Sequence, residues 1–230
     1  MLRRVLAPFR EFGLAAGAVY LADRALRALS PRCGLYCYEL MAQPVPAGPL
    51  LPARRTAALQ FVEIGRGDAD VARMPARPEI KAQRYEQGAR CLGVRRGGEL
   101  IGYLWLAFGR HEEDEVRCTY ELAEPARSAF DFDLYLFPEH RQGTAFAAVW
   151  QGANDFLRRQ GIDTSFSRMT RFNLASRRAH ARLGARCIGR ALFLQLGVLE
   201  AMAATLPPYL ALSVASSQRV RLRLQRPVAA

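Results

Sequence analysis

Residues 130–145 read Phe-Asp-Phe-Asp-Leu-Tyr-Leu-Phe-Pro-Glu-His-Arg-Gln-Gly-Thr-Ala, and the rest of the chain can be organised around them. The alternation of the first half predicts a strand over 130–137, which Pro138 ends. The second half is a short loop that contains Arg141 and Gly143. From residue 145 to 160 apolar residues recur on one helical face, so the stretch predicts a strand–loop–helix step.

Such a step can form an anion site. The first N–H groups of a helix have no partner within the helix, and the helix dipole adds partial positive charge there. A loop of small residues lets an anion approach these groups, and Arg141 adds a fixed charge. The loop therefore predicts a phosphate-binding site, although a single glycine before a helix is equally typical of a simple helix cap.

The patterns on both sides of this step predict a mixed α/β fold, with a mostly antiparallel central sheet flanked by helices. Tight turn residues at 96–99 join two apolar runs into a hairpin. The predicted strands are 59–64, 91–95, 100–108, 116–121, 130–137, 164–168, 186–196 and 219–224. The predicted helices lie within 68–88, interrupted by Pro75 and Pro78, at 145–160, at 175–183 and near 197–206.

The two ends of the chain are predicted to be additions to one central domain. Residues 1–30 have the spacing of an amphipathic helix, and the Pro- and Gly-rich stretch 43–54 is a connector. We therefore expect an N-terminal helix and arm over 1–45, a central domain over 46–200, and a C-terminal extension with a basic strand over 201–230. The helix is expected to dock on its own domain, with peripheral membrane contact as the alternative.

Composition restricts the class of protein and of partner. The 230 residues carry 33 basic and 21 acidic groups, a net charge of +12, and Lys81 is the only lysine. Such a chain attracts nucleotide phosphates, nucleic acid and anionic lipid alike. The sequence has no helix-turn-helix, zinc or RNP-like pattern, which argues against nucleic acid. Five scattered cysteines and three histidines form neither a disulfide framework nor a metal ligand set, which favours a reducing cytoplasm and no metal.

Three segments together resemble the GNAT family of acyl-CoA-dependent N-acyltransferases. Residues 132–145 with the following helix are similar to the family's pyrophosphate-binding motif, in the register His140-x-x-Gly143-x-Ala145. Residues 173–184 are similar to its Asn-containing helix, and residues 98–103 to its early hairpin. The resemblance covers about residues 56–196 and implies the GNAT fold, a bacterial N-acetyltransferase and acetyl-CoA as co-substrate. The implied cofactor-binding residues are Leu136, Phe137, His140, Arg141, Gln142, Gly143, Thr144, Ala145, Asn173 and Ser176.

The resemblance also implies where the chemistry occurs. The acyl group would lie between the strands at 130–137 and 164–168, with a backbone N–H near Leu136 or Phe137 as the oxyanion donor. His180 stands where the family commonly has a tyrosine, so it is the expected general acid. Its alternative is a half-exposed surface residue.

Two carboxylates are the candidates for the general base. Strand alternation predicts that Asp131 and Asp133 share one face, which would suit a cationic primary amine, although a solvated face would carry the same pattern.

Two other classes of function stay open in the sequence. The chain could be a non-catalytic binding or scaffold protein on this fold, because its phosphate loop departs from the family pattern. Its basic surface could instead bind nucleic acid or anionic lipid. The acceptor is not specified, since a small amine, an amino sugar, an antibiotic and a peptide amine would all fit. Residues 219–224 could pair across a homodimer.

Overall fold

The computed structural model describes residues 2–215 and 218–227, which form helices and strands in a mixed order. The helices are α1 (Leu2–Phe12), α2 (Leu14–Leu29), α3 (Ala53–Thr56), α4 (Asp70–Arg73), α5 (Pro78–Glu86), α6 (Ala145–Arg159) and α7 (Leu174–Arg182). The strands are β1 (Cys33–Pro44), β2 (Leu59–Ile64), β3 (Arg90–Arg96), β4 (Glu99–Ala107), β5 (Arg110–Glu112), β6 (Cys118–Leu122), β7 (Ser128–Leu136), β8 (Thr164–Thr170), β9 (Arg186–Leu196), β10 (Leu199–Ala204), β11 (Leu210–Val214) and β12 (Val220–Leu224).

The chain divides into two compact units. The first unit contains residues 1–43, 112–121 and 168–230, and the second contains residues 44–111 and 122–167. The prediction of a mixed α/β fold with mostly antiparallel strands is confirmed. The predicted limits of the N-terminal arm and the C-terminal extension stay a prediction.

The second unit is built on antiparallel pairing of β2 with β3, β3 with β4 and β4 with β7, followed by a parallel pair of β7 with β8. Helix α6 packs closely against this sheet, because a Cβ atom at Gly152 would lie 2.5 Å from the ring of Phe61. The core contains buried side chains from several of these elements: Ile64, Met74, Ala89, Cys91, Leu100, Tyr103, Trp105 and Phe137.

Strand β7 carries a bulge in its second half. Tyr103 pairs with Tyr135 and Trp105 pairs with Phe132, so β7 contains one more residue than β4 between these two pairs. Asp133 lies within the bulge and has φ of +47°, in the left-handed region that few residues other than glycine adopt. The alternation of side chains along β7 is therefore broken at Asp133.

The first unit is built on antiparallel pairing of β1 with β9, β9 with β10 and β10 with β11. Tyr38 of β1 and Phe193 of β9 pack with ring centroids 6.0 Å apart on one face of this sheet. Strand β12 lies beside β6, and its Leu222 and Leu224 are fully buried. Their burial explains the alternating apolar and basic pattern of the last strand.

Most of the predicted elements are confirmed within one to three residues at each end, and two predictions are wrong. The helix expected near 197–206 is strand β10, because Gly197 with φ of +62° turns the chain back onto β9. The single helix expected over 1–30 is two helices, since Gly13 with φ of +82° interrupts it. Strands β1, β5 and β11 were not predicted. Among the described helices none has the length and apolar character needed to cross a membrane.

Candidate functional site

The parallel pair of β7 and β8 in the second unit is short. Three residue pairs are in register, Ser128 with Thr164, Ala129 with Ser165 and Phe130 with Phe166. Strand β7 continues for six residues beyond this last pair, to Leu136. The paired register therefore stops in the middle of β7, as expected where two parallel strands separate.

The loop that follows β7 leads into the N-terminus of α6. It begins with a 3₁₀ turn over Pro138–His140, passes through Gly143 with φ of +90°, and ends at Thr144, the N-cap of α6. The first hydrogen bond within the helix is from the Ala148 N–H to the Thr144 carbonyl, 2.8 Å. In this described segment the Thr144 side chain makes no capping hydrogen bond, and the first turn of α6 has no acidic residue. No side-chain cap and no acidic residue of the first turn therefore occupies the free amides of this helix end, while Glu139 of the preceding 3₁₀ turn is exposed.

The central residues of the loop, 141 to 143, are exposed, and one of them also contacts the strand. Arg141 donates from Nε to the Leu136 carbonyl, 3.2 Å, and lies over the ring of Tyr135. Gln142 and Gly143 are exposed. The Phe137 N–H donates to the Ile101 carbonyl, 3.2 Å. Of the two N–H groups expected near the acyl group, the one of Phe137 therefore forms a hydrogen bond to the neighbouring strand β4.

Asp131 lies inside the second unit and not at its surface. It is 3% exposed, and its Oδ1 accepts a hydrogen bond from the Ser165 hydroxyl, 2.5 Å. Burial raises the pKa of Asp131 to about 7, with the Ser165 hydrogen bond acting in the opposite direction. A substrate amine cannot reach this carboxyl in the described conformation, so its position does not suit a general base.

Asp133 lies on the other side of β7. Its carboxylate forms an ion pair with Arg84 of α5, and the Arg84 guanidinium lies over the rings of Trp105 and Phe132. The neighbouring ring of His111 stacks on Phe132 with centroids 4.0 Å apart. The expectation that the two aspartates share a face is therefore wrong, because the bulge rotates Asp133 out of the alternating pattern. Asp133 keeps 31% side-chain exposure and is the accessible carboxylate of the two.

The remaining predicted residues belong to the first unit. Asn173 is the N-cap of α7, and its Oδ1 accepts from the Ser176 N–H, 3.0 Å. His180 is 4% exposed, and its Nδ1 lies 3.0 Å from Gln43 Oε1. Burial lowers the pKa of His180 to about 4. His180 is thus buried and neutral near pH 7, which fits neither a general acid nor a half-exposed surface residue.

The cluster of Arg84 and His111 around Phe132 was not predicted from the sequence. Both residues come from segments with no recognisable motif, and contacts between distant elements bring them to β7. One further group could hold a cation, since ligand atoms of Glu99, Glu139 and His140 lie within 4.8 Å of one another. Both glutamates are exposed, and Arg73 already donates to Glu99, 3.1 Å.

Comparison with known proteins identifies the central part of the chain. Residues 50–186 match the family model of the acetyltransferase (GNAT) domain. This match includes β2 to β8, the loop between β7 and α6, α6 and α7, and the resemblance seen in the sequence is confirmed. No curated protein matches the chain.

Solved structures show the same fold at low sequence identity. A conserved protein of unknown function from Staphylococcus epidermidis is 12% identical, with a TM-score of 0.53, 77% of this chain covered and 67% of that chain. A protein from Novosphingobium aromaticivorans described as a GNAT acetyltransferase is 16% identical, with a TM-score of 0.45 and coverages of 71% and 65%. This chain spans less than two thirds of the length of the Novosphingobium protein. A protein from Salmonella typhimurium, described as an acetyltransferase and solved with acetyl-CoA, is 17% identical, with a TM-score of 0.40 and coverages of 55% and 79%.

Proposed function

Because this chain belongs to the GNAT acetyltransferase family, we propose that it transfers an acyl group, acetyl by default, from acyl-CoA to a primary amine. The observation that carries this proposal is the early end of the β7–β8 register, followed directly by the loop and the N-terminus of α6. All of these elements lie within the second unit.

The separated part of β7 supplies a binding edge for the acyl-CoA arm. Backbone groups of a strand that leave the ladder must find another partner, and the amide groups of a pantetheine arm can provide one. The acyl carbonyl would then lie towards the Leu136 end of β7. Because the Phe137 N–H already donates to the Ile101 carbonyl, we assign the role of oxyanion donor to the Leu136 N–H.

The loop supplies the anion site for the pyrophosphate of the donor. The exposed Gln142–Gly143 turn allows close approach to the start of α6, where the dipole favours negative charge. Gly143 has open space around the position of a Cβ atom, so an anion can come close to the loop backbone. The Arg141 guanidinium, held over Tyr135 by its bond to the Leu136 carbonyl, adds positive charge nearby.

The acceptor amine is assigned to the side of β7 that carries Asp133. A cationic amine is attracted by a carboxylate, and Asp133 is partly exposed while Asp131 is buried. Arg84 holds the Asp133 side chain by an ion pair, and 31% of that side chain is exposed. We therefore assign to Asp133 the binding of the amine, and to Asp131 a structural role inside the unit.

Calorimetric titration of the full chain with CoA and acetyl-CoA tests the donor site. Gly143→Trp should abolish binding, because a bulky side chain would fill the approach to the helix N-terminus. Gly161→Trp is the matched control, since Gly161 closes the opposite end of α6, also with positive φ and open space. Equal affinities in the two variants would place the donor elsewhere.

Release of free CoA thiol in the presence of a panel of amines tests the transfer itself. Turnover with any primary amine supports the enzyme, and Asp133→Asn should then raise KM for the amine more than it lowers kcat. CoA binding without turnover on any amine would favour the scaffold alternative. A reducing cytoplasm and a homodimer remain predictions that these experiments do not address.

A further inference from the structure

One face of the β9–β10–β11 sheet in the first unit is composed of apolar side chains. Leu199 pairs with Leu196 on one side and with Val214 on the other, and residues directly opposite each other share a face. The same register continues along the sheet in steps of two residues. We call the resulting surface the leucine face; its members are Leu192, Leu194, Leu196, Leu199, Ala201, Ala203, Leu210, Leu212 and Val214.

The leucine face is the exposed side of its sheet. Leu210 and Leu212 of β11 are 77% and 72% exposed, and Leu199 of β10 is 45% exposed. On the opposite face Phe193, Met202 and Ser213 are buried. A sheet with one solvated side normally carries polar residues there, so this arrangement indicates that something other than water contacts the face.

The charge of the same part of the chain is strongly one-sided. Residues 168–230 contain eleven arginines and one acidic residue, Glu200, so they carry +10 of the total net charge of +12. Glu200 is 2% exposed and belongs to the side opposite the leucine face. Five of these arginines form ion pairs with carboxylates of other segments, namely Arg168, Arg177, Arg190, Arg219 and Arg221. The first unit as a whole has 18 arginines and 9 acidic residues, so its net charge is still +9.

Some of this charge borders the leucine face directly. Cys37 pairs with Leu192 and so lies on the same side of the sheet. The Arg171 and Arg190 side chains both interact electrostatically with the Cys37 thiol, as does the buried Glu39. Arg190 Nε lies 3.8 Å from Glu39 Oε1, and the Arg190 side chain is 58% exposed. Arg178 and Arg182 on the neighbouring helix α7 are exposed, and no described carboxylate forms an ion pair with either. Together they provide a basic border beside an apolar surface.

Three kinds of partner can be compared by this chemistry. A second copy could cover the leucines, but it would bring together two units with a net charge of +9 each. Nucleic acid would match the charge, but its phosphates would leave the leucines without an apolar contact. A bilayer that contains anionic lipid satisfies both features, since leucines enter the headgroup boundary while arginines bind lipid phosphates.

We propose that the leucine face, with its arginine border, docks the protein on the surface of a bilayer that contains anionic lipid. The contact is peripheral, formed by side chains of three strands. It is independent of the proposed acyl transfer, because its residues lie outside the loop and strand assigned to the donor. Its failure would leave the CoA titrations unaffected.

Flotation of the full chain with vesicles tests the proposal. We expect binding to vesicles of phosphatidylcholine with phosphatidylglycerol, weaker binding at raised salt, and little binding to phosphatidylcholine alone. Leu210→Ser with Leu212→Ser should abolish flotation. Arg171→Gln and Arg190→Gln should each weaken it about fivefold.

The matched control is Leu14→Ser with Leu29→Ser, which removes two leucines of α2 that are 81% and 82% exposed. This control should float like the wild type. If it loses flotation while the Leu210/Leu212 variant keeps it, the membrane contact belongs to the N-terminal helices and the proposal is overturned. Absence of flotation of the wild type would overturn it as well.

A second measurement does not depend on loss of binding. Trp105 and Trp150, the two native tryptophans, are fully buried. Leu212→Trp therefore adds the one exposed indole, and brominated lipid should quench its fluorescence when the vesicles are anionic. No quenching would refute the docking. Light scattering measures self-association of the same protein. If the wild type is a dimer that does not bind vesicles, and the Leu210/Leu212 variant is a monomer, the leucine face serves self-association instead.

Discussion

The substitution Asp131→Asn should raise the free energy of unfolding above that of the wild type near neutral pH. In the folded protein Asp131 is buried beside β8, and burial raises its pKa to about 7 from the usual 3.8. The folded state therefore holds a proton between these two values that the unfolded state has lost. Stability conferred by this group is complete below about pH 4 and is lost as the pH rises through 7.

The size of the effect follows from the two pKa values. Each unit of difference corresponds to 1.36 kcal/mol, so about three units correspond to about 4 kcal/mol at pH 8. Asp131→Asn keeps a polar group near Ser165 but carries no charge at any pH. We expect the free energy of unfolding of the variant to exceed that of the wild type by about 4 kcal/mol at pH 8 and to be nearly equal to it at pH 4.

Urea unfolding followed by the fluorescence of the two buried tryptophans measures this difference across the pH range. Glu79→Gln is the control, because it removes an exposed carboxylate from the first turn of α5. Parallel stability curves for Asp131→Asn and the wild type between pH 4 and 8 would refute the reasoning. If Asp131→Asn abolished turnover with CoA binding intact, the base assignment made from the sequence would be correct after all.

Further predictions concern residues that the structure buries in ion pairs or hydrogen bonds. Glu113→Gln should lower the free energy of unfolding by about 3 kcal/mol, because the buried Glu113 carboxylate accepts two hydrogen bonds, 2.7 and 2.8 Å, from Arg168. Equal urea midpoints for the variant and the wild type would contradict this. The wild type should lose stability as the pH falls from about 6.5 to 4, since the unfolded chain takes up a proton that the buried His180 imidazole does not, and His180→Gln should remove this loss. The same substitution should leave the pH profile of turnover unchanged. A shifted profile would restore the role of His180 as general acid. Ser165→Ala should lower stability by about 1 kcal/mol through the lost hydrogen bond to Asp131, and thermal melts at pH 5 would show it as a lower midpoint.

Much of the second unit could be predicted from the sequence because its signals are local. Alternation predicted β7, two apolar runs around a tight turn predicted β3 and β4, and a helical repeat predicted α6, since these patterns depend on neighbours within a few residues. The loop between β7 and α6 could be placed for the same reason, because Pro138 ends a strand and Gly143 precedes a helix. These local signals also carried the family resemblance.

The first unit was harder to predict because its strands depend on distant partners. Strand β1 pairs with β9, whose residues lie 144 to 163 positions further along the chain, so the pairing leaves no local pattern in the sequence. Strand β10 is rich in alanine and has good helix propensity, yet hydrogen bonds to β9 and β11 hold it extended. Tertiary pairing outweighs a weak local preference in such cases.

The sequence by itself determined the strand–loop–helix step, the basic charge and the family, because each is encoded in adjacent residues or in composition. Only the tertiary structure decided what the polar candidates do. The bulge at Asp133 turned one aspartate towards Arg84 and left the other inside, and packing buried His180 against Gln43. Exposure and orientation depend on contacts between elements far apart in the chain, so residue type and spacing could not supply them.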